Sequence, residues 1–292
     1  MITQTRIIPR LDIKGPNLVK GVHLEGLRVL GQPEVFARWY SEAGADELIY
    51  VDVVASLYGR NSLLDIVRRT SSAIFIPLTV GGGLRSVDDI REVLRAGADK
   101  VAINTAAVRN PPLIAEAARR FGSSTIVIAI ETIETAPGRY EAFTDNGREP
   151  SGVDAIEWAA RAVDLGAGEV LLTSVDREGT GSGYDLALTR TIAERVGVPV
   201  IASGGAGTLD DVRRVLVEGR ADAVSIASML HYHAVRTLPL PDRNDQEGNT
   251  EFLRAGRTFG RRIVPASIGE VAEHLAMSGF STRATAARRA HA

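Results

Sequence analysis

Short runs of aliphatic and β-branched residues alternate along this chain with amphipathic stretches in which apolar positions recur every three or four residues. Eight such runs stand out: Arg6–Asp12, Glu47–Asp52, Ile76–Val80, Lys100–Asn104, Thr125–Glu131, Glu169–Ser174, Val198–Ala202 and Ala223–Ala227. Near-continuous apolar runs suit parallel strands buried on both faces, with the helical patterns between them as crossovers. Two of the helical patterns are Pro111–Arg120 and Ser86–Ala96, the latter with Ser86 as its cap, Asp89 three residues on and Gly97 closing it. Eight strand–helix units predict a (β/α)8 TIM barrel, with a doubly wound open sheet as the structural rival.

Internal repetition decides between them. The stretch from Gly44 to Asp52 recurs from Gly166 to Ser174, and Gly82-Gly83-Leu84-Arg85-Ser86 recurs as Gly204-Gly205-Ala206-Gly207-Thr208, both at an offset of 122. Ala98–Ile103 matches Ala221–Ile226 at 123. Strands two, three and four thus correspond to strands six, seven and eight, giving one barrel over residues 1–292 with half-barrels 5–122 and 123–280. Two segments stand outside the repeat. Val235–Pro265 reads as an insertion, placed on the active face by its position after strand eight, and Ser281–Ala292 reads as a frayed tail.

Composition narrows the class. With 45% hydrophobic but only 5% aromatic residues, the core must be mostly aliphatic. A net charge of −2, from 34 basic and 36 acidic residues, suggests neither nucleic acid nor a membrane surface as partner. The absence of cysteine removes disulfides and thiolate metal sites, and with no signal-like apolar run the expectation is a cytoplasmic protein.

Strand ends and the loops after them build the site in such barrels. Gly81-Gly82-Gly83 after strand three and Asn104-Thr105 after strand four have counterparts in Gly204-Gly205 and Ala227-Ser228. Either these glycines only make tight turns, or they let backbone N–H groups approach two phosphates across the barrel mouth. Between them Asp12 and Glu131, one from each half, stand at the ends of strands one and five, where burial can separate two carboxyl pKa values into an acid and a base. A structural alternative is that both cap neighbouring N–H groups. At the opposite end Arg6, Glu47, Lys100 and Glu169 begin strands one, two, four and six, as a salt-bridged plug or as a charged gate. His231 and His233 have the spacing of strand neighbours, with no acidic or cysteine partners, so neither metal nor cofactor is expected. Trp39 and Trp158 fall on helices as packing residues.

Arg6-Ile7-Ile8-Pro9-Arg10-Leu11-Asp12-Ile13-Lys14 with Leu18-Val19-Lys20-Gly21, the Thr79–Gly83 and Gly97–Ala107 stretches, Leu171–Arg177 and Ile201–Gly207 together resemble the cyclase subunit of imidazole glycerol phosphate synthase. The resemblance runs from about Arg6 to His231 and resumes at Ser267–Gly279. It implies a barrel that takes ammonia from a glutaminase subunit docked on its bottom, as a heterodimer. The barrel would convert a bisphosphate ribulosyl-formimino aminoimidazole carboxamide ribotide into imidazole glycerol phosphate and aminoimidazole carboxamide ribotide, a step of histidine biosynthesis. By that likeness Asp12 is the general acid/base and Glu131 its partner. Lys20, on a mobile loop after strand one, helps close over substrate. Gly83, Asn104 and Thr105 hold one phosphate, Gly179, Gly205 and Ser228 the other, and Thr173 and Glu178 join the substrate site. Arg6, Glu47, Lys100 and Glu169 match the ammonia gate, and Asp99 a partner contact. The chain departs from the pattern at Glu131 and Glu178, where Asp is usual, at Arg10, where Cys is usual, and at Gly15-Pro16 and the insertion. These departures resemble paralogues that supply ammonia for sugar amidation in surface polysaccharide biosynthesis, the alternative reading. A related single-chain phosphoribosyl isomerase would need no charged gate.

Overall fold

A computed structural model describes residues 4–54, 63–238 and 262–283. Eight parallel strands close into a barrel: β1 (Arg6–Lys14), β4 (Leu48–Asp52), β5 (Leu78–Gly81), β6 (Lys100–Ile103), β7 (Ile126–Ala136), β10 (Glu169–Ser174), β11 (Val200–Ser203) and β12 (Ala223–Ile226). β12 pairs with β1 and β7 pairs with β10 from Glu169↔Val127 to Ser174↔Thr132, so no strand of the ring is left with a free edge. Helices α1 (Pro33–Glu42), α2 (Leu64–Ser71), α3 (Val87–Arg95), α4 (Thr105–Arg109), α5 (Pro112–Phe121), α6 (Ala155–Asp164), α7 (Leu186–Arg195), α8 (Leu209–Val217), α9 (Ser228–Thr237) and α10 (Ile268–Met277) follow along the chain.

The repeat read from the sequence is a repeat of structure. Ser86 and Asp89 form a capping box on α3, and Thr208 and Asp211 form the same box on α8. Leu48 N–H donates to the Pro77 carbonyl and Val170 N–H to that of Pro199, each at 2.9 Å. Proline has no N–H for the ladder, so β5 and β11 begin one residue after these prolines, two residues later than the hydrophobic runs suggest. The Asp46, Asp99 and Asp222 carboxylates accept the N–H groups of Ile7, Leu78 and Val200 at 2.8–2.9 Å, each tying a strand to the start of its neighbour.

Four expectations need correction. Asp12 and Glu131 do not end their strands: β1 and β7 run on into antiparallel hairpins with β2 (Asn17–Val22) and β3 (Glu25–Gly31), and with β8 (Arg139–Thr144) and β9 (Glu149–Asp154). Lys20 therefore lies on strand β2 rather than on a loop, and its side chain is buried. His231 and His233 lie on α9, two positions apart on a helix and hence not on one face. The start of the tail is docked: Thr5 N–H donates to the Ser281 carbonyl and Arg283 N–H to Asp46. Residues 284–292 and most of the insertion, 239–261, lie outside the described residues. Val235–Thr237 completes α9, and Val264 N–H donates to the Gly207 carbonyl, so the insertion returns to the loop after β11.

Trp39 sits on α1 partly buried and Trp158 on α6 fully packed, both as expected. No helix among the described residues is long and apolar enough to cross a membrane.

Candidate active site

Alternation along a strand puts residues two apart on one face. On β1 this aligns Arg6, Ile8, Arg10 and Asp12, and on β7 Val127, Ala129 and Glu131. The barrel interior is consequently layered. At the bottom Arg6 contacts Glu47 at 2.7 Å and Glu169 at 2.5 Å, and Lys100 contacts the same two carboxylates at 3.0 Å. The four predicted gate residues form a closed ring of alternating sign. Burial acts to lower the Arg6 pKa, but Glu169 and Glu47 outweigh it, so the net shift is upward and the guanidinium stays charged. Above the ring lies an apolar belt of Ile8, Ile49, Ala102, Val127, Leu171, Ile201 and Ala223.

Polar groups return one layer higher. Arg10 donates from Nε to Asp12 at 2.9 Å and from Nη1 across the barrel to Thr173 Oγ1 at 3.1 Å. Both Arg10 and Asp12 are 2% exposed, a buried ion pair in which each charge depends on the other. Among the described residues Glu131 makes no ion pair. Asn104 Nδ2 donates to its Oε2 at 2.9 Å, and burial pushes its pKa up to about 7. The Arg10 charge, the Gly147 backbone and Asn104 pull that value down, while Asp12 pushes with burial. The two carboxylates thus sit in different environments, one ion-paired and one desolvated, as an acid–base site requires.

A cavity of about 280 Å³ opens over this layer. Gly83, Asn104, Thr105, Glu131 and Thr173 of the predicted site line it, together with Arg10, Arg109 and Asn146. Its rim is tied: Asp145 donates its N–H to Thr105 Oγ1 at 3.0 Å and accepts from Arg109 at 2.6 Å. Asp12, Lys20, Glu178, Gly179, Gly205 and Ser228 are not among the lining residues. Lys20 Nζ is instead ion-paired with Glu178, both side chains being buried. Gly179 and Gly205 have packing reasons to be glycine. A Cβ at Gly179 would lie 2.6 Å from the Gly21 carbonyl oxygen, and one at Gly205 2.1 Å from that of Gly183. Ser228 opens α9 with its side chain buried.

The two hairpins meet over the mouth. His23 and Leu24 turn with φ of 52° and 61°, and Asp145 and Asn146 repeat those angles 122 residues later. Paired positive φ values mark the tight turns that fit the twist of hairpin strands. Asn146 Nδ2 reaches the Leu24 carbonyl at 3.5 Å, and His23 N–H donates to the Glu178 carbonyl at 2.9 Å.

Sequence reasoning missed Arg109, Asn146 and the central place of Arg10. The alternation Arg6-Ile8-Arg10-Asp12 carried the signal for Arg10, and Asp145-Asn146-Gly147 carried it for the second hairpin turn. His231 is a core residue rather than a ligand. It shares a 2.6 Å hydrogen bond with Tyr40, packs edge-on against Phe36, and is held neutral by burial and the Lys20 charge, which lower its pKa to about 3. Among the described residues no group of three or more His, Cys, Asp or Glu could hold a metal. Asp99 is occupied in part by the Leu78 N–H and lies on the barrel bottom beside Phe75, which is 93% exposed.

Residues 6–236 match the family described as "Histidine biosynthesis protein". The chain is 59% identical over 210 residues to "Imidazole glycerol phosphate synthase subunit HisF" of Legionella pneumophila, covering 72% of this chain and 99% of that protein. It is 51% identical over 235 residues to the protein of the same name from Alkaliphilus metalliredigens (strain QYMF), covering 80% and 93%. The matched residues 6–236 include the charged ring, the belt and both carboxylate strands, and the chain belongs to the histidine biosynthesis protein family, among its HisF subunits.

Proposed function

We propose that this HisF-family subunit takes ammonia through its barrel. With it the subunit closes the imidazole ring on a bisphosphate ribulosyl-formimino aminoimidazole carboxamide ribotide, giving imidazole glycerol phosphate and aminoimidazole carboxamide ribotide. The observation that carries this reading is the pair of carboxylates above one axis, with Glu131 held near neutrality. Adding an amine nitrogen and expelling another amine needs one group to accept a proton and one to give it. A carboxyl poised near pH 7 can do either, and Asp12, ion-paired with the cavity-lining Arg10, serves as its acid/base partner. Gly83, Asn104 and Thr105 take one phosphate in the cavity, while Gly179, Gly205 and Ser228 take the other beneath the hairpins. The Lys20–Glu178 pair ties β2 to the loop after β10 on that second side.

The apolar belt suits a small neutral solute and opposes an ion, so the ring below it reads as the gate for ammonia. A glutaminase partner would seat on the same bottom face, where Asp99 and the exposed Phe75 lie together. The cysteine-free chain suits a reducing cytoplasm. Purified protein assayed with the ribotide and an ammonium salt should turn over, and no turnover at high enzyme concentration would sink the reading. Addition of a glutaminase subunit should make glutamine a nitrogen source, and Phe75→Glu should abolish only the glutamine-dependent rate.

One observation favours a second reading. The Arg10 guanidinium bridges from β1 to β10 between the belt and Asp12, which suits a subunit that passes ammonia to another enzyme for sugar amidation. Growth of a cyclase-deficient histidine auxotroph carrying this chain would count against it.

A further inference from the structure

Arg10 has a hydrogen-bonding atom to spare. Its Nε and Nη1 are engaged by Asp12 and Thr173, but Nη2 is buried with no partner among the described residues. A guanidinium cannot shed its charge, so an unmet N–H on it costs more than one on a neutral group. The same side chain lines the cavity.

Acceptors are left over there too. Asn104 Nδ2 donates to Glu131 Oε2 at 2.9 Å and to the Phe143 carbonyl at 3.1 Å. Those two acceptors fix the amide's orientation, since flipping it would set oxygen against oxygen. Asn104 Oδ1 is then an acceptor, buried and without a partner among the described residues, and so is Asn146 Oδ1. A carboxylate or phosphate would satisfy Arg10 but face amide oxygens. An ammonium would satisfy those oxygens but face the guanidinium. A neutral carboxamide answers both.

We propose that Arg10 is a ligand-binding residue that sets specificity, and that the cavity beside Glu131 takes a carboxamide, its oxygen on Arg10 Nη2 and its NH2 on Asn104 Oδ1. This rests on the proposed function for the choice of ligand, a ribotide bearing a carboxamide. Cysteine, usual at this position in the family the sequence resembles, has no second donor to offer, so the contact belongs to chains that carry Arg here.

The test is a cycle of two ligands and three proteins. Aminoimidazole carboxamide ribotide and aminoimidazole ribotide, which lacks the carboxamide, are titrated calorimetrically into wild type, Arg10→Met and Arg10→Lys. Wild type should prefer the carboxamide ribotide by about tenfold or more, the scale of one charge-assisted hydrogen bond. Arg10→Met should lose that preference, the ratio between the two ribotides falling toward one whatever its affinity for each. Arg10→Lys keeps a cation beside Asp12 and decides the matter if the Met variant does not fold. It should lose most of the preference, because one ammonium cannot reproduce the fork. Equal binding of the two ligands by wild type, or equal weakening of both in a folded variant, overturns the inference. Wild type that binds neither overturns the reading it rests on, and the inference with it. Wild type that turns over the bisphosphate substrate yet binds the two ribotides equally overturns the inference alone.

Discussion

The two halves of the barrel build the same frame and fill it differently. Their hairpin turns share φ angles, their third helices share a capping box, and Pro77 and Pro199 start equivalent strands. Inside the frame β1 offers Arg10 and Asp12 where β7 offers Ala129 and Glu131, and β8, Arg-Tyr-Glu-Ala-Phe-Thr from Arg139 to Thr144, has no lysine to match Lys20 of β2. The half with the extra cations holds an ion-paired carboxylate. The half without them holds a desolvated one. The two halves share a geometry, and a few unmatched side chains give their carboxylates different environments.

The sharpest way to break this comparison is to neutralise each carboxylate. Asp12→Asn and Glu131→Gln should each lower kcat by about 10²–10⁴-fold with ammonium as nitrogen source. The double variant should be little worse than the poorer single one, because groups acting as a unit are not additive. If Glu131→Gln stays within about tenfold of wild type, proton transfer belongs to the first half alone.

The unmatched cation comes next. Lys20→Met leaves the Glu178 carboxylate buried without its partner and should cost about 3–5 kcal/mol in thermal or denaturant unfolding. Lys20→Met with Glu178→Leu should recover most of that loss, separating the cost of a lone charge from the value of the pair.

The raised Glu131 pKa predicts a smaller effect with a definite sign. Between its ordinary value of 4.5 and about 7 the folded chain keeps a proton that the unfolded chain releases. Its contribution to stability is therefore full below pH 4.5 and is lost as pH rises through 7, a change on the order of 3 kcal/mol. Glu131→Gln should flatten this slope relative to wild type in unfolding curves at pH 5 and 8. His231 contributes the opposite slope between about 3 and its ordinary 6.5, but it does so equally in both proteins and cancels in the comparison.

The smallest effect tests the shared frame. Ser86→Ala and Thr208→Ala should each cost about 1 kcal/mol, and by nearly the same amount. A marked inequality in denaturant midpoints would show that the halves are equivalent in shape but not in stability.

The eight barrel strands, the repeat and the Ser86 cap were legible because each leaves a local trace: β-branched runs, an offset of 122, a Ser three residues before an Asp. The hairpins were harder. Gly15-Pro16 looked like a departure within a loop, whereas Lys14↔Asn17 pairing makes it the two-residue turn of the first hairpin. Strand alternation in β2 is weak, since Leu18 to Gly21 are all buried, so period alone could not separate strand from loop. The charged ring was foreseen because all four members begin strands. Arg10 was read only as a departure from a familiar motif, and its reach across to Thr173 appears only once β1 and β10 stand on opposite sides of one barrel.

The ring of Arg6, Glu47, Lys100 and Glu169 sums to zero. From outside it is electrically silent, neither gathering cations from solvent nor turning them away, so ionic strength should barely touch the rate at which solute arrives. A solute entering from below would meet the four ion pairs and then a belt that offers no hydrogen bond to replace lost water. On the proposed reading the barrel floor works as a valve that sorts by how tightly a solute holds its hydration shell, a criterion under which ammonia and ammonium differ far more than they do in size.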